Sequence, residues 1–167
     1  GVGGRTVACD ADLSEVLLEV GERLHLAEHG VEGSAHRLAI AADIEVKRLK
    51  TMHTGPSEAK HGSSAAASAT QHAYLLDLAR GFPPSSPFAS VHLPVVGQPV
   101  FYRMLRPELL DQLRRANKVA ALSPDALSAF GGDGAEARTH NVEVHKATHY
   151  LLSEVIPSCI ATLLASG

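Results

Sequence analysis

The chain has 167 residues, and 45% of them are hydrophobic, enough for one packed core, which excludes disorder throughout. There is no tryptophan and the aromatic fraction is 4%, so the core must be aliphatic, and any site for single-stranded nucleic acid lacks a generous set of stacking rings. A formal charge of −3 excludes an all-round cationic coat but leaves room for a local basic patch.

Residues 12–26, DLSEVLLEVGERLHL, place Leu13, Val16, Leu17, Val20 and Leu24 on one helical face, with Asp10 or Asp12 as cap and Gly30 as stop. Over residues 37–47, RLAIAADIEVK, the period changes to two. Leu38, Ile40, Ala42, Ile44 and Val46 alternate with their neighbours, which predicts a half-buried strand. A second strand is expected near 72–79, in HAYLLDLA. Between them, residues 49–72 are rich in Ser, Ala, Gly and Lys and read as a flexible insertion loop, tolerated because closure entropy grows slowly with length.

The second strand runs into RGFPP, and the double proline at Pro83 and Pro84 forces a corner. An Asp77–Arg80 pair is expected to lock that corner, since a half-buried carboxylate needs a partner. FYRMLRPELLDQLRRAN predicts two short helical pieces hinged at Pro107. LSPDALSAFGG predicts a short helix with Ser123 as cap, Pro124 first and Gly131 as terminator. The last helix is expected from about Asn141, with Val144, Ala147, Leu151 and Val155 on one face and Pro157 kinking or ending it. Helix, two strands, then helices gives an α+β fold, a small antiparallel sheet packed with several helices, as a single domain or an excised one over residues 1–167.

Cys9 and Cys159 have no close spacing, so neither a disulfide framework nor a cysteine-rich zinc site is expected, and a reducing cytosolic setting is the simpler reading. No stretch approaches the roughly 20 apolar residues of a membrane span, so no membrane insertion is expected. GVGGRTVACDAD lacks the apolar core of a signal peptide.

Three constellations carry chemistry. His145 and His149 lie one helical turn apart, but Lys146 stands where a zincin needs its glutamate, so a solvated face is preferred to a metal site. Asp43, Glu45 and Asp77 would converge if the strands pair, and strand-end carboxylates hold magnesium in many phosphotransferases. No glycine-rich phosphate loop or nucleophile elbow accompanies them, so a structural role for Asp77 is preferred and no cofactor is expected. Finally, Arg103, Arg106, Arg114, Arg115 and Lys118 outweigh Glu108 and Asp111, with Phe101 and Tyr102 at the start of the segment. These five cations are the candidate RNA-binding residues, against the alternative of an ordinary solvated helix face.

Four blocks in this order together resemble the CLU domain of the clustered mitochondria protein family. DIEVKRLK followed by YLLDLARGFPP looks like that family's strand pair and Pro-Pro corner, and FYRMLRPELL like its Tyr-Arg-Leu-Leu-Arg-Pro-Glu block. LSPDALSAFG and EVHKATHYLLSEVIPSCI are similar to its Leu-Ser-x-Asp-Ala-Phe-Ser-x-Phe segment and closing helix, so the likeness covers about residues 13–160. Family members usually join the strands by a short Asp-Gly-Arg turn, where this chain has residues 49–72; Leu127 and Ala129 replace the usual Phe and Gly. The resemblance implies a noncatalytic domain of a larger cytosolic protein that acts in mitochondrial distribution. It also implies association with messenger RNAs for mitochondrial proteins and with translation initiation factor 3, and contacts with other domains of the parent chain. The rival expectations are a magnesium- and nucleotide-dependent phosphotransferase built on Asp77 and Glu45, and a pure interaction scaffold whose VHLPVVGQPV segment docks on other domains.

Overall fold

The computed structural model describes residues 11–52, 69–89 and 103–167. The chain divides into two compact units, one of residues 1–43 and 79–167 and a second of residues 44–78. The fold class is α+β, with helices and two small antiparallel strand pairs.

In the first unit, helix α1 spans Ala11–Arg23. Leu13, Leu17 and Val20 are half-buried, but Val16, on the same expected face, is 53% exposed. Gly21 is the point of closest approach. A Cβ there would lie 2.3 Å from Ala39 Cβ, so only glycine lets the helix come this close to residues 37–41. The helix stops short of Gly30. His25 enters the left-handed region at φ 60°, after which Ala27 N–H donates to Leu122 O at 2.9 Å.

The expected strand over 37–47 is divided. Strand β1 (His29–Gly30) pairs antiparallel with β2 (Arg37–Leu38), while residues 39–44 leave the ladder. Ala39, Ile40 and Ala41 are all buried, so alternation fails there. The cause is non-local: Ala42 N–H donates to the Asp125 side chain at 2.8 Å instead of to a neighbouring strand.

Helix α2 spans Pro107–Arg115 and buries Leu109, Leu110 and Leu113. The helical piece expected before Pro107 is extended instead, with Arg106 at ψ 149°. Proline disfavours helical geometry in the residue before it. That extended stretch pairs with the double proline: Leu105 N–H donates to Pro83 O and Ser85 N–H to Arg103 O, each at 2.8 Å. Pro83 and Pro84 are fully buried beneath it. The helix expected over LSPDALSAF is a chain of turns, since Leu127 sits at φ 60° and its N–H is taken by Asn141 Oδ1 at 2.7 Å.

Helix α3 spans Ala135–Tyr150, starting before the expected Asn141. Val144 and Ala147 are fully buried, as their spacing predicts, and β1 packs on this helix. A wide turn over Leu151–Val155, with Ile156 N–H donating to Leu151 O five residues back, leads into α4 (Ile156–Ala165). Pro157 therefore does not end the helix. The wider turn accommodates the donor it lacks. By length and composition alone, the continuous run from Ala135 to Ala165 would suffice to cross a membrane; its most apolar window is only 11% buried, and one such helix is weak evidence. The core is aliphatic, gathering Leu26, Leu105, Leu109, Leu110, Leu113, Leu122, Ala126, Val144 and Ala147. Each leucine of this kind contributes roughly 1.5–3 kcal/mol by leaving water.

The second unit is a two-stranded antiparallel ribbon of β3 (Glu45–Met52) and β4 (Ala69–Leu76). Residues 49–52 and 69–72, expected in the insertion loop, belong to these strands; the rest of that loop, 53–68, lies outside the described residues. Among the described residues β4 pairs with β3 alone, and Tyr74 and Leu76 are exposed. One face carries Lys47 and Leu49 opposite Tyr74 and His72, and the other carries Val46 opposite Leu75, both half-buried.

Candidate functional site

Asp125 is the centre of the first unit's polar structure. It comes from the turns after Leu122, and its carboxylate is wholly buried. Oδ2 lies 2.8 Å from His29 Nε2 and accepts Ala42 N–H at 2.8 Å, while Oδ1 accepts Arg80 Nη2 at 3.2 Å. His29 is itself buried, and its Nδ1 lies 2.9 Å from Ala27 O. Both ring nitrogens therefore face oxygens. Arg80 continues the network, with Nη1 donating to Asp43 Oδ2 at 2.8 Å and the guanidinium 5.6 Å from the centre of the Phe130 ring. A buried carboxylate with this many donors is stable where a lone one would not be.

Beside this centre, His140 stands edge-on to His29, ring centres 6.2 Å apart and planes at 79°. Its Nε2 is 3.8 Å from Glu136 Oε1. Burial, and next the positive charge of His29, pull the His140 imidazole below its ordinary value, against the opposing pull of Glu136. Glu136 accepts Arg37 Nη2 at 2.7 Å, and Arg37 Nε donates to Glu28 at 2.7 Å. These bonds hold the Glu136 carboxyl below the usual range and raise the guanidinium of Arg37. The cleft between His29, Asp125 and His140 has a volume of about 10 Å³, the size of one water and far below that of a substrate pocket.

A second buried polar cluster joins the proline corner to α3. Ser86 is wholly buried; its N–H donates to Thr148 Oγ1 at 2.8 Å, and its Oγ lies 2.6 Å from His145 Nδ1. A serine beside a histidine suggests a nucleophile, but a wholly buried hydroxyl is closed to substrate. His149 is exposed, with Ser153 Oγ 3.5 Å from its Nδ1, and no group of three metal-ligating side chains is gathered among the described residues.

The expected corner residues are distributed as follows. Pro83 and Pro84 form the buried corner, and Arg80 is bound to Asp43 and Asp125. Asp77 is exposed, in the left-handed region at φ 57°, which aspartate tolerates better than most residues. Glu45 is exposed in the second unit, 3.8 Å from Lys47. Asp43, the other carboxylate of the phosphotransferase expectation, is engaged by Arg80.

The five candidate cations fall into two groups at the ends of α2, a helix roughly 14 Å long at 1.5 Å per residue. Arg103 and Arg106 precede the helix, and Arg106 Nε is 3.4 Å from Glu108. Arg114 and Arg115 lie at its end, 3.4 and 2.7 Å from the two oxygens of Asp111. Lys118 stands over the Tyr150 ring at 5.8 Å. Burial works to raise the Asp111 carboxyl, but Arg115 and Arg114 outweigh it and hold the group below the usual range. Asp111 thus serves two arginines and also lies 3.5 Å from His25 Nε2, and Arg114 lines a cleft with Glu19, Glu22 and Glu28. Phe101, Tyr102 and the VHLPVVGQPV segment lie outside the described residues.

Sequence reasoning missed His29, Ser86 and Thr148 and read Asp125 only as part of a helix. Short local patterns carry no sign of partners that are 45 to 96 residues apart. The one available signal was the resemblance, whose blocks contain Asp43, Arg80, Asp125 and Thr148. Compared with family models, curated proteins and solved structures, the chain matches none.

Proposed function

We propose that this chain is a noncatalytic α+β module of CLU type in a cytosolic protein, binding RNA through the cations of α2 in the service of messenger RNA and translation-initiation contacts. The observation that carries the reading is where the resembling blocks meet. Arg80 of the LDLARGFPP block joins Asp43 of the DIEVKRLK block and Asp125 of the LSPDALSAFG block. The same corner binds the RMLRPE block through Pro83 and the closing helix through Thr148. Arg80, Asp43 and Asp125 build one junction, and the cleft that Asp125 lines has a volume of only about 10 Å³, which suits an architectural module. Arg103, Arg106, Arg114, Arg115 and Lys118 are all exposed, and solvent-facing cations of this kind are what a phosphate backbone requires.

The test is anisotropy of a short mixed-sequence RNA from low to moderate salt. Affinity should fall steeply with salt, and Arg114→Glu with Arg115→Glu should weaken binding at least about tenfold at low salt. The double reversal should also flatten the salt slope by about 1.4, at about 0.7 per phosphate contact on a single strand. Unchanged affinity in that variant would remove α2 from RNA binding. Thermal stabilisation by magnesium and ATP that Asp77→Asn abolishes would replace the proposal with the phosphotransferase reading.

A further inference from the structure

A groove of about 670 Å³ runs between the Arg103–Gln112 segment and the long helix. Its walls are Met104, Leu105, Leu109, Leu151, Val155 and Ile156. Arg103, Arg106 and Glu108 stand at it, two cations to one carboxylate. The apolar surface continues beyond the groove: Leu152, Ile156 and Ile160, spaced by four residues, are 42%, 41% and 52% exposed, and Leu163 and Leu164 are more exposed still. From Ile156 to Gly167 the chain has no charged side chain.

We infer that this groove is a docking site for an amphipathic acidic helix of a partner protein. The walls are aliphatic, with no described aromatic ring on which a base could stack, so RNA is a poor occupant. A helix laying leucine-type side chains at i, i+3, i+4 and i+7 into the groove covers the exposed stripe. Carboxylates on its flanks meet Arg103 and Arg106, which leave the rim one positive charge in excess of Glu108, and this selects an acidic helix over a basic one. The site shares Arg103 and Arg106 with the proposed RNA surface, whereas Arg114, Arg115 and Lys118 do not line it.

Two synthetic helical peptides with the same leucine positions test this, one with glutamates and one with lysines at the remaining sites, titrated against the whole chain by anisotropy. The acidic peptide should bind at least tenfold tighter than the basic one. Leu152→Glu with Ile156→Glu should abolish its binding, and Arg103→Glu with Arg106→Glu should reverse the preference between the peptides. Both pairs are surface changes, and unchanged melting and circular dichroism would confirm that the variants fold. Equal binding of the two peptides, or binding untouched by Leu152→Glu with Ile156→Glu, overturns the inference. So does self-association that the same variant abolishes, which assigns the groove to a second copy. Capture by neutral lipid vesicles lost in that variant would assign the stripe to a membrane, and peptide affinity raised by Val95→Asp with Val96→Asp would assign the groove to the chain's own segment.

Discussion

Asp125 and Asp111 face the same kind of partner in opposite surroundings. Asp125 is wholly buried and joined to His29, Arg80 and the Ala42 N–H, whereas Asp111 is about one-third exposed and shared by Arg114 and Arg115 on the surface of α2. In water an ion pair is worth roughly 0–1 kcal/mol, and its members stay available to an incoming phosphate. In the interior the same pairing carries a large penalty if one member is removed. One charge pattern is thus closed off in the interior, while the other stays exposed to solvent.

The largest effect should follow from breaking the buried side. Asp125→Asn leaves His29 and Arg80 facing a neutral amide, and urea denaturation should show a loss of about 3–5 kcal/mol, the usual cost of an uncompensated buried charge. A loss under about 1 kcal/mol would mean that the junction is open to water and that the contrast with α2 is false.

An intermediate effect is expected from acid. Folding holds the His140 imidazole below its ordinary value near 6.5, so the unfolded chain binds more protons around that pH. The stability contributed by neutral His140 is complete above 6.5 and is lost as pH falls through the lower folded value. The groups facing it are His29, Asp125, Glu136 and Arg37, and the depressed Glu136 adds its own loss only at more acid pH, below 4.5. His140→Gln should flatten the fall in melting temperature between pH 6.5 and 5. An unaltered slope would show that His140 is not the titrating group.

The smallest effect should come from the exposed side. Arg114→Ala with Arg115→Ala should change stability by no more than about 0.5 kcal/mol for each site, measured by the same urea denaturation. A larger loss would make the arginines part of the architecture and erase the distinction drawn from their exposure.

Elements governed by local pattern were legible in the sequence, and those governed by distant partners were not. The helical piece expected after Pro107 is α2, and Val144 and Ala147 lie on the buried face of α3 as their spacing predicts. The strand expected at 37–47 broke because Ala42 N–H turns to a carboxylate 83 residues away. The helix expected after Ser123 failed for the related reason that Asp125 is drawn inward. Of the candidate site, the exposed cations were legible as charges, but their division between the two ends of α2 required the fold.

The wide turn at Leu151–Val155 works as a phase shifter. An α-helix advances about 100° per residue, so one extra residue in a turn rotates everything beyond it by about that angle. Upstream, Val144, Ala147 and Thr148 point into the core; downstream, Ile160, Leu163 and Leu164 point to solvent. Removing a single residue from this turn would swing the terminal segment around its own axis while leaving its composition and helicity intact. No residue of α4 is buried, so the count of residues in the turn sets the rotation of the terminal segment but not its exposure.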